Sequence, residues 1–387
     1  MGADRLVVVH SFPVWLPQTQ TWMFNQVRYL PENIEAHVVC DSTENLDQFG
    51  LPRIHSLSAE PRWRRSVDYR LRRCGARRHS GFLARQARSV GARILHSHFG
   101  NVGWQDIGAA RAAGARHVVS FYGYDASYLP ARDPEWRGRY RELFARVDRI
   151  LCEGPHMGRS VESLGCPAEK ARVHHLGVRL DEIPFVPRVL RPGEPLRVLI
   201  AASFQEKKGI PYAIEALGRL SREFPVELTI VGDANEEERS RAEKGRILDA
   251  LERHVMKTLT RMPGYRTHAA LFEEAFRHHV FLSPSVTAGD GDTEGGAPVT
   301  LIEMAATGMP VVATRHCDIP EIVRHGETGF LAPERDAGAL VENLRWLVAH
   351  PAEWERIART ARLHIEAEYD VVRQGERLAA IYRELAG

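Results

Sequence analysis

Short runs of β-branched and other apolar residues alternate with longer stretches of helical periodicity along almost the whole chain. Apolar runs at 6–10, 36–40, 93–97, 117–121 and 149–152 predict strands in the first half, and runs at 197–201, 228–231, 280–283 and 311–314 predict strands in the second. Helical patterns lie between most of them, as at 211–224, where Ile214, Leu217 and Leu220 recur at three-residue steps, and at 336–349. Such alternation predicts an α/β protein with parallel sheets covered by helices on both faces. One stretch breaks the pattern. Pro184, Pro187, Pro192 and Pro195, with Gly193, exclude a helix or a central strand. The expected organisation is therefore two doubly wound, Rossmann-like domains, 1–186 and 196–366, joined by a linker at 187–195. Two such domains are expected to face a central cleft, with ligand at the carboxyl ends of the strands.

Composition narrows the class. The 387 residues are 44% hydrophobic and 26% charged, which excludes a disordered chain. The 52 basic and 50 acidic residues leave a formal net charge of +2, so no global electrostatic case exists for nucleic acid as a partner. Five cysteines, at 40, 74, 152, 166 and 317, are scattered without a CxxC pair; they predict a reducing compartment and no thiolate metal site. Eighteen histidines form no HExxH pattern, so no metal is expected. The opening MGADRLVVVH does not fit a secretory leader, and no stretch approaches the ~20 apolar residues of a membrane span. The expected location is the cytoplasm, with at most peripheral contact at the inner face of a membrane.

Candidate chemistry concentrates in the second half. After the run ending at Ser283 comes a loop holding Gly289, Asp290, Gly291, Asp292, Thr293, Glu294, Gly295 and Gly296. Pro298 is placed to open a helix as its first residue, and Gly308 to end it. The interior of that helix is apolar nearly all round, so it should be buried, and Glu303 is its only charge. A lone buried carboxylate is costly without partners. It is either one half of a core ion pair or an acceptor for hydroxyl hydrogen bonds from a polyol such as a ribose. A second loop, Ser203 to Gly209, carries Lys207 and Lys208 ahead of a helix opened by Pro211. These are either surface lysines beside Glu206 or cations at an anion-friendly helix start. Two such starts at one sheet edge suggest a diphosphate.

The run Glu294-Gly-Gly-Ala-Pro-Val-Thr-Leu-Ile-Glu303-Met-Ala-Ala-Thr-Gly-Met-Pro-Val-Val-Ala-Thr resembles the signature of family-4 glycosyltransferases, as does Ile319-Pro-Glu-Ile-Val-Arg-His-Gly-Glu-Thr-Gly-Phe330. Glu206-Lys-Lys-Gly209, Val231-Gly-Asp233 and Leu176-Gly-Val178 are similar to that family in order and spacing. His96-Ser-His98-Phe-Gly100 and Ser120-Phe-Tyr-Gly-Tyr-Asp125 resemble its exopolysaccharide, colanic-acid-type branch. The resemblance implies a GT-B fold, with 367–387 forming a helix that returns to the first domain. It implies transfer from a nucleotide diphosphate sugar, most simply a UDP-sugar, with retention at the anomeric carbon and no metal or other cofactor. By position, Glu303 would bind the donor ribose, Glu294 sugar hydroxyls and Lys208 the diphosphate, helped by Val299 and Thr300. Gly232, Gly295, Gly296 and Ser203 would also line the donor side. Glu294, His98 and Lys208 form the implied catalytic set, and Gln18, Thr19, Thr21, Tyr122 and Asp125 the acceptor side.

The chain departs from the family's pattern in three places. Eight residues separate Glu294 from Glu303 where seven are usual. Ser203 stands where an arginine is usual, which removes one diphosphate cation, and Tyr122 stands where a histidine commonly touches the donor sugar. Asp290-Gly-Asp292 matches a DxD metal motif, but inside a glycine-rich loop. Residues 62–88 hold ten arginines and one acid, Asp68, with Trp63, Tyr69, Leu71, Phe82 and Leu83 interleaved. This is either a solvated helix face or a surface for anionic lipid or an anionic acceptor, with Arg72, Arg73, Arg77 and Arg78 as its docking cations. The acceptor is expected to be a lipid-linked saccharide in exopolysaccharide assembly; the alternative is a soluble small molecule such as an aminocyclitol in antibiotic assembly. A dinucleotide oxidoreductase would need GxGxxG after the first strand, where Ser11-Phe-Pro-Val-Trp15 has no glycine. A non-catalytic sugar-binding protein is the remaining rival.

Overall fold

The computed structural model describes residues 5–17, 22–47 and 49–387. The chain divides into two compact units, Met1–Arg179 with Tyr369–Gly387, and Leu180–Glu368. The first is built on a seven-stranded sheet of β1 (Leu6–Trp15), β2 (Ile34–Thr43), β3 (Ile54–Ser56), β4 (Ile94–His98), β5 (Arg116–Phe121), β6 (Arg149–Cys152) and β7 (Ala171–Val173). Every pairing is parallel, in the order β3-β2-β1-β4-β5-β6-β7. The second holds six parallel strands, β8 (Leu196–Ala201), β9 (Val226–Val231), β10 (Thr260–Gly264), β11 (Val280–Ser283), β12 (Val311–Thr314) and β13 (Phe330–Ala332), in the order β10-β9-β8-β11-β12-β13. Both orders build outward from their first strand and then reverse. The switch points therefore lie between β1 and β4 in one unit and between β8 and β11 in the other, where the loops at the strand ends diverge and leave room for a ligand.

The four strands that the apolar pattern does not announce, β3, β7, β10 and β13, are all at sheet edges. Three of them have three residues, and the fourth contains Pro263, so none carries a run long enough to be read as a strand. The proline-rich stretch expected to be a linker is packed on the second unit. Arg188 is buried there, donating from Nε to the carbonyl of His278 at 3.0 Å and from Nη2 to the Thr307 hydroxyl at 3.1 Å, and Leu190 joins the core of Leu196, Val198 and Leu217. Proline excludes regular structure but not burial, which is why the stretch reads as free in sequence. The C-terminal helix, Val371–Ala386, lays Leu378, Ala379 and Tyr382 over Val8, Ile94, Val118 and Leu151 of the first sheet.

The first sheet buries an unusual set of imidazoles. His10 and His96 are register partners on β1 and β4, and His98 follows two residues on, so all three share one face. Burial drives the pKa of His10 to about 3, His117 to about 4 and His174 to about 3, and holds His96 and His98 well below the usual value. In the unfolded chain these five rings take up protons as pH falls through about 6.5; in the fold they stay neutral. Unfolding thus binds protons, so stability that is whole above pH 6.5 is lost as pH falls toward 4. Burial raises Asp106 and Asp125 to about 7, which acts in the opposite sense over the same window, but the imidazoles outnumber them. The unfolding free energy should accordingly fall between pH 7.5 and pH 5, by about 1.4 kcal/mol per pH unit for each net proton, and the urea midpoint with it. A midpoint that holds steady or rises over that interval would contradict the neutral-imidazole core.

Candidate active site

At the switch point of the second sheet, two loops meet through a backbone contact that only glycine permits. Gly209 follows the short turn Glu206–Lys208 and adopts φ +61°; a Cβ there would lie 1.9 Å from the carbonyl oxygen of Pro284 in the loop after β11. Gly232, after β9, is equally constrained, since a Cβ would lie 1.9 Å from the Ala202 carbonyl oxygen. These close approaches carry Lys208 onto Glu294. The Lys208 ammonium donates to both carboxylate oxygens, at 2.9 and 2.7 Å, and the Ser285 hydroxyl donates to one of them at 2.7 Å. Burial alone would raise the Glu294 carboxyl, but the ammonium groups of Lys208 and Lys207 outweigh it and hold the carboxyl at about 2. The group is a carboxylate at any working pH.

The loop from Pro284 to Pro298 is anchored mainly through its backbone. Val286 N–H donates to the Lys207 carbonyl at 2.8 Å, Gly289 N–H to Glu206 at 3.1 Å, and Thr287 N–H to Glu334 at 2.8 Å. Glu294 N–H donates to His316 Nε2 at 3.1 Å, and the other ring nitrogen of His316 lies 2.6 Å from Glu334 Oε1. His316 and Glu334 were not marked by any motif read in the sequence; each acts from a different strand end, after β12 and β13. The DxD carboxylates are already balanced. Lys207 Nζ donates to Asp292 at 3.1 Å, and Arg239 lies 3.6 Å from Asp290 and 3.7 Å from Asp292. Both carboxylates of the motif thus lie within 4 Å of a cationic side chain.

The helix after the loop runs Val299–Ala306, with Pro298 as its cap rather than its first residue. Leu301, Ile302, Met304, Ala305 and Ala306 are buried, while Val299 and Thr300 are half-buried at its start. Glu303 is not isolated: His268 Nε2 lies 2.9 Å from its Oε1, and its side chain retains 12% exposure. Gly295 and Gly296 are buried beside Glu294, and Ser203 is half-buried in the loop after β8. The donor-side residues named from sequence thus gather at one end of the second sheet.

The first unit treats its candidates differently. His98 is fully buried, stacked at 4.0 Å on Phe12, with Nδ1 2.8 Å from the Tyr122 hydroxyl and Nε2 3.1 Å from His10 Nδ1. Both ring nitrogens have partners, and neither is presented to solvent. Asp125 is enclosed in the same way. Its fully buried carboxylate accepts the backbone N–H groups of Gly100 and Tyr122, bracing a turn where Phe99 has φ +76°, and it is not open to an acceptor. Gln18, Thr19 and Thr21 lie outside the described residues. Among the described residues, His10, His96 and His98 are the group whose ligand atoms converge, within 4.8 Å of one another. Five of their six nitrogens are engaged, with each other, Tyr122, Tyr382 and Ser120, while His10 Nε2 is buried without a hydrogen-bond partner among the described residues.

The arginine stretch is organised by its one acid. Buried Asp68 pairs with Arg72 at 3.1 Å and Arg77 at 2.7 Å; Arg72 also reaches Asp41, and Arg78 pairs with Glu142 at 2.8 Å over the Trp104 ring. Three of the four cations expected to dock are thus held within the protein. What the helix Arg62–Arg73 exposes instead is Arg62, Arg70 and Arg73 beside Trp63, Val67 and Tyr69.

Residues 195–350 match the family model described as glycosyl transferases group 1, and residues 19–182 match the model of glycosyltransferase family 4. A putative colanic acid biosynthesis glycosyltransferase, WcaL of Salmonella typhimurium, is 34% identical over 326 residues, covering 79% of this chain and 72% of that protein. The chain belongs to the family-4 glycosyltransferases. The amylovoran biosynthesis glycosyltransferase AmsK of Erwinia amylovora is 31% identical over 79% of the transferase and 73% of its own length. Among solved structures, Anabaena HepE in complex with UDP and glucose aligns over 98% of the transferase and all of its own chain, with TM-score 0.76 at 15% identity. Sucrose-phosphate synthase from Thermosynechococcus elongatus aligns over 98% of the transferase and 99% of its own chain, also with TM-score 0.76, at 19% identity. Both show the fold, which is GT-B.

The Lys208–Glu294 contact makes a stability prediction. Lys208→Met strands a buried carboxylate and should cost the transferase about 3 kcal/mol or more. Lys208→Met combined with Glu294→Gln should recover most of that loss. Urea denaturation of the full chain reads both, and a single variant as stable as the parent would show that Glu294 does not depend on Lys208.

Proposed function

We propose that the transferase moves a sugar, with retention at its anomeric carbon, from a UDP-sugar to a hydroxyl of a lipid-linked saccharide in exopolysaccharide assembly. The observation that carries the reading is the ammonium–carboxylate contact at the switch point of the second sheet, made by a glycine-rich loop that leads into the helix carrying Glu303. Lys208, now paired with Glu294, turns toward the incoming diphosphate, where it balances the charge that grows on the leaving phosphate as the sugar departs. Glu294 is then free to accept sugar hydroxyls, and Glu303 to accept those of the ribose. A retaining transfer demands that the leaving phosphate be stabilised while the acceptor hydroxyl attacks from the same face, so fixed donors aimed at the phosphate and a fixed sugar matter more than any proton-transfer group. No metal is needed, because Lys208 and the helix starts supply positive charge and the acidic loop is neutralised by Lys207 and Arg239. Support for the acceptor comes from the relatives, named for colanic acid and amylovoran biosynthesis, and for the donor from HepE, solved with UDP and glucose.

Among the described residues no helix is long and apolar enough to cross a membrane. We infer that a lipid-linked acceptor is met by peripheral docking through Arg62, Arg70 and Arg73, with Trp63, Val67 and Tyr69 entering the interface.

Two outcomes check this reading. Glu303→Ala should weaken UDP-sugar binding by about 1.5–3 kcal/mol, the worth of a hydrogen bond to a charged group, with Glu303→Gln losing less, and EDTA should leave transfer intact. Unchanged affinity in both variants, or activity lost in EDTA and restored by Mn²⁺, would overturn the assignment. The full chain should also sediment with anionic liposomes at low salt and release at high salt, more readily after Arg62, Arg70 and Arg73 are replaced by Gln. A folded, active protein that never sediments would move the soluble small-molecule acceptor to the front.

A further inference from the structure

The backbone of Glu294 is held by a side chain that touches neither of the charges expected to meet the donor. His316 is 1% exposed and sits in the loop after β12. Its Nε2 accepts the Glu294 N–H at 3.1 Å, so that nitrogen carries no proton. The proton therefore lies on Nδ1, which donates to Glu334 Oε1 at 2.6 Å. Glu334, from the loop after β13, also accepts the Thr287 N–H at 2.8 Å, which ties the start of the glycine-rich loop to the same carboxylate. Close by, Cys317 Sγ lies 3.2 Å from Nε2; burial pushes its thiol up to about 12, so it stays protonated and shares that lone pair with the Glu294 N–H as a weak S–H donor. Glu334, His316 and Glu294 form one chain of hydrogen bonds in which the carboxylate sets the tautomer and the tautomer leaves a lone pair for the backbone.

We propose that His316 is a positioning residue for the transfer step, fixing the Glu294 backbone through its unprotonated Nε2, with Glu334 as the group that selects the tautomer. The proposal rests on the reading that Glu294 and Lys208 handle the donor. When the donor draws Lys208 away, Glu294 loses the partner that holds its side chain at 2.7–2.9 Å. The Ser285 hydroxyl and the His316 bond to its backbone then keep the carboxylate in place. Since a displacement of about 1 Å at a reacting group is enough for a hundredfold loss of rate, a backbone anchor of this kind matters to turnover more than to nucleotide binding. The assignment gives His316 a role distinct from that of any residue contacting the substrate.

The test compares His316→Leu, which cannot accept the N–H, with His316→Gln, whose side-chain oxygen can. Both are assayed as full chains for kcat, donor KM, UDP affinity by calorimetry and thermal midpoint. His316→Leu should lower kcat by roughly 10- to 100-fold while UDP affinity stays within about twofold, and His316→Gln should restore most of the rate. Equal rates per folded molecule in parent and His316→Leu would overturn the proposal, as would a Gln variant no better than Leu. If His316→Leu does not fold, Glu334→Ala, which frees the tautomer, should show the same selective loss of kcat; a parental rate there would overturn it too. Glu294→Gln and Lys208→Ala serve as controls: parental kcat in both marks failure of the site reading itself, whereas their loss beside a fully active His316→Leu marks failure of this inference alone.

Discussion

A protonated amine held against a buried carboxylate, Lys208 on Glu294, is the contact on which the second unit's working end depends. A buried carboxylate without a partner is expensive, and the geometry that supplies the partner is dictated by two glycines. Gly209 admits the Pro284 carbonyl and Gly232 admits that of Ala202, so the loops after β8, β9 and β11 close to distances that a Cβ would forbid. The glycine-rich loop after β11 is correspondingly well tied. Its backbone donors find Glu206 and Lys207 in one turn, His316 after β12 and Glu334 after β13, so the carboxylate it carries is set from three separate segments.

The two units solve opposite electrostatic problems. In the second, charge is kept at the strand ends and matched pair by pair, Lys208 with Glu294 and Lys207 with Asp292, while Glu303 is met by the His268 ring. In the first, the same topological position is filled by rings with no charge. His98, His10 and Tyr122 bond one another, and His96 is shared between Ser120 and Tyr382 of the returning C-terminal helix. Burial keeps these imidazoles neutral, and the network joins the C-terminal helix to the sheet by a polar contact as well as by packing. The HSHFG segment thus contributes framework from His96 and His98, while the turn that follows is set by Asp125.

The arginine-rich stretch shows how one buried acid changes the meaning of ten cations. Asp68 gathers Arg72 and Arg77, also accepts the Ser80 hydroxyl and the Gly81 N–H, and so joins the end of one helix to the start of the next. The positive surface left over is smaller than the composition suggests and lies on a different face. It is the face that carries Trp63 and Tyr69, and this coincidence of exposed aromatics with unspent charge makes it a better candidate for lipid than the cluster counted along the chain.

Much of this protein is determined by local sequence alone. The alternation of apolar runs and helical periods was enough for two parallel sheets with helices between them, because central strands buried on both faces must be continuous and hydrophobic. The signature around Glu294 and Glu303 was enough for the family, and for naming candidate donor-side residues in the loops of the second sheet. The edge strands escaped detection because three residues carry too little pattern in β3, β7 and β13, and Pro263 interrupts β10. Only the tertiary structure decided which side chains meet. His316 and Glu334 are ordinary residues after separate strands, and nothing local marks them as one hydrogen-bond chain to the Glu294 backbone. Nor does the sequence say that Glu303 has His268 as a partner, or that His98 is sealed beneath Phe12. Periodicity along a chain records which faces are buried, whereas the pairing of polar groups depends on where strands from distant segments end, and that is set by the packing of the whole sheet.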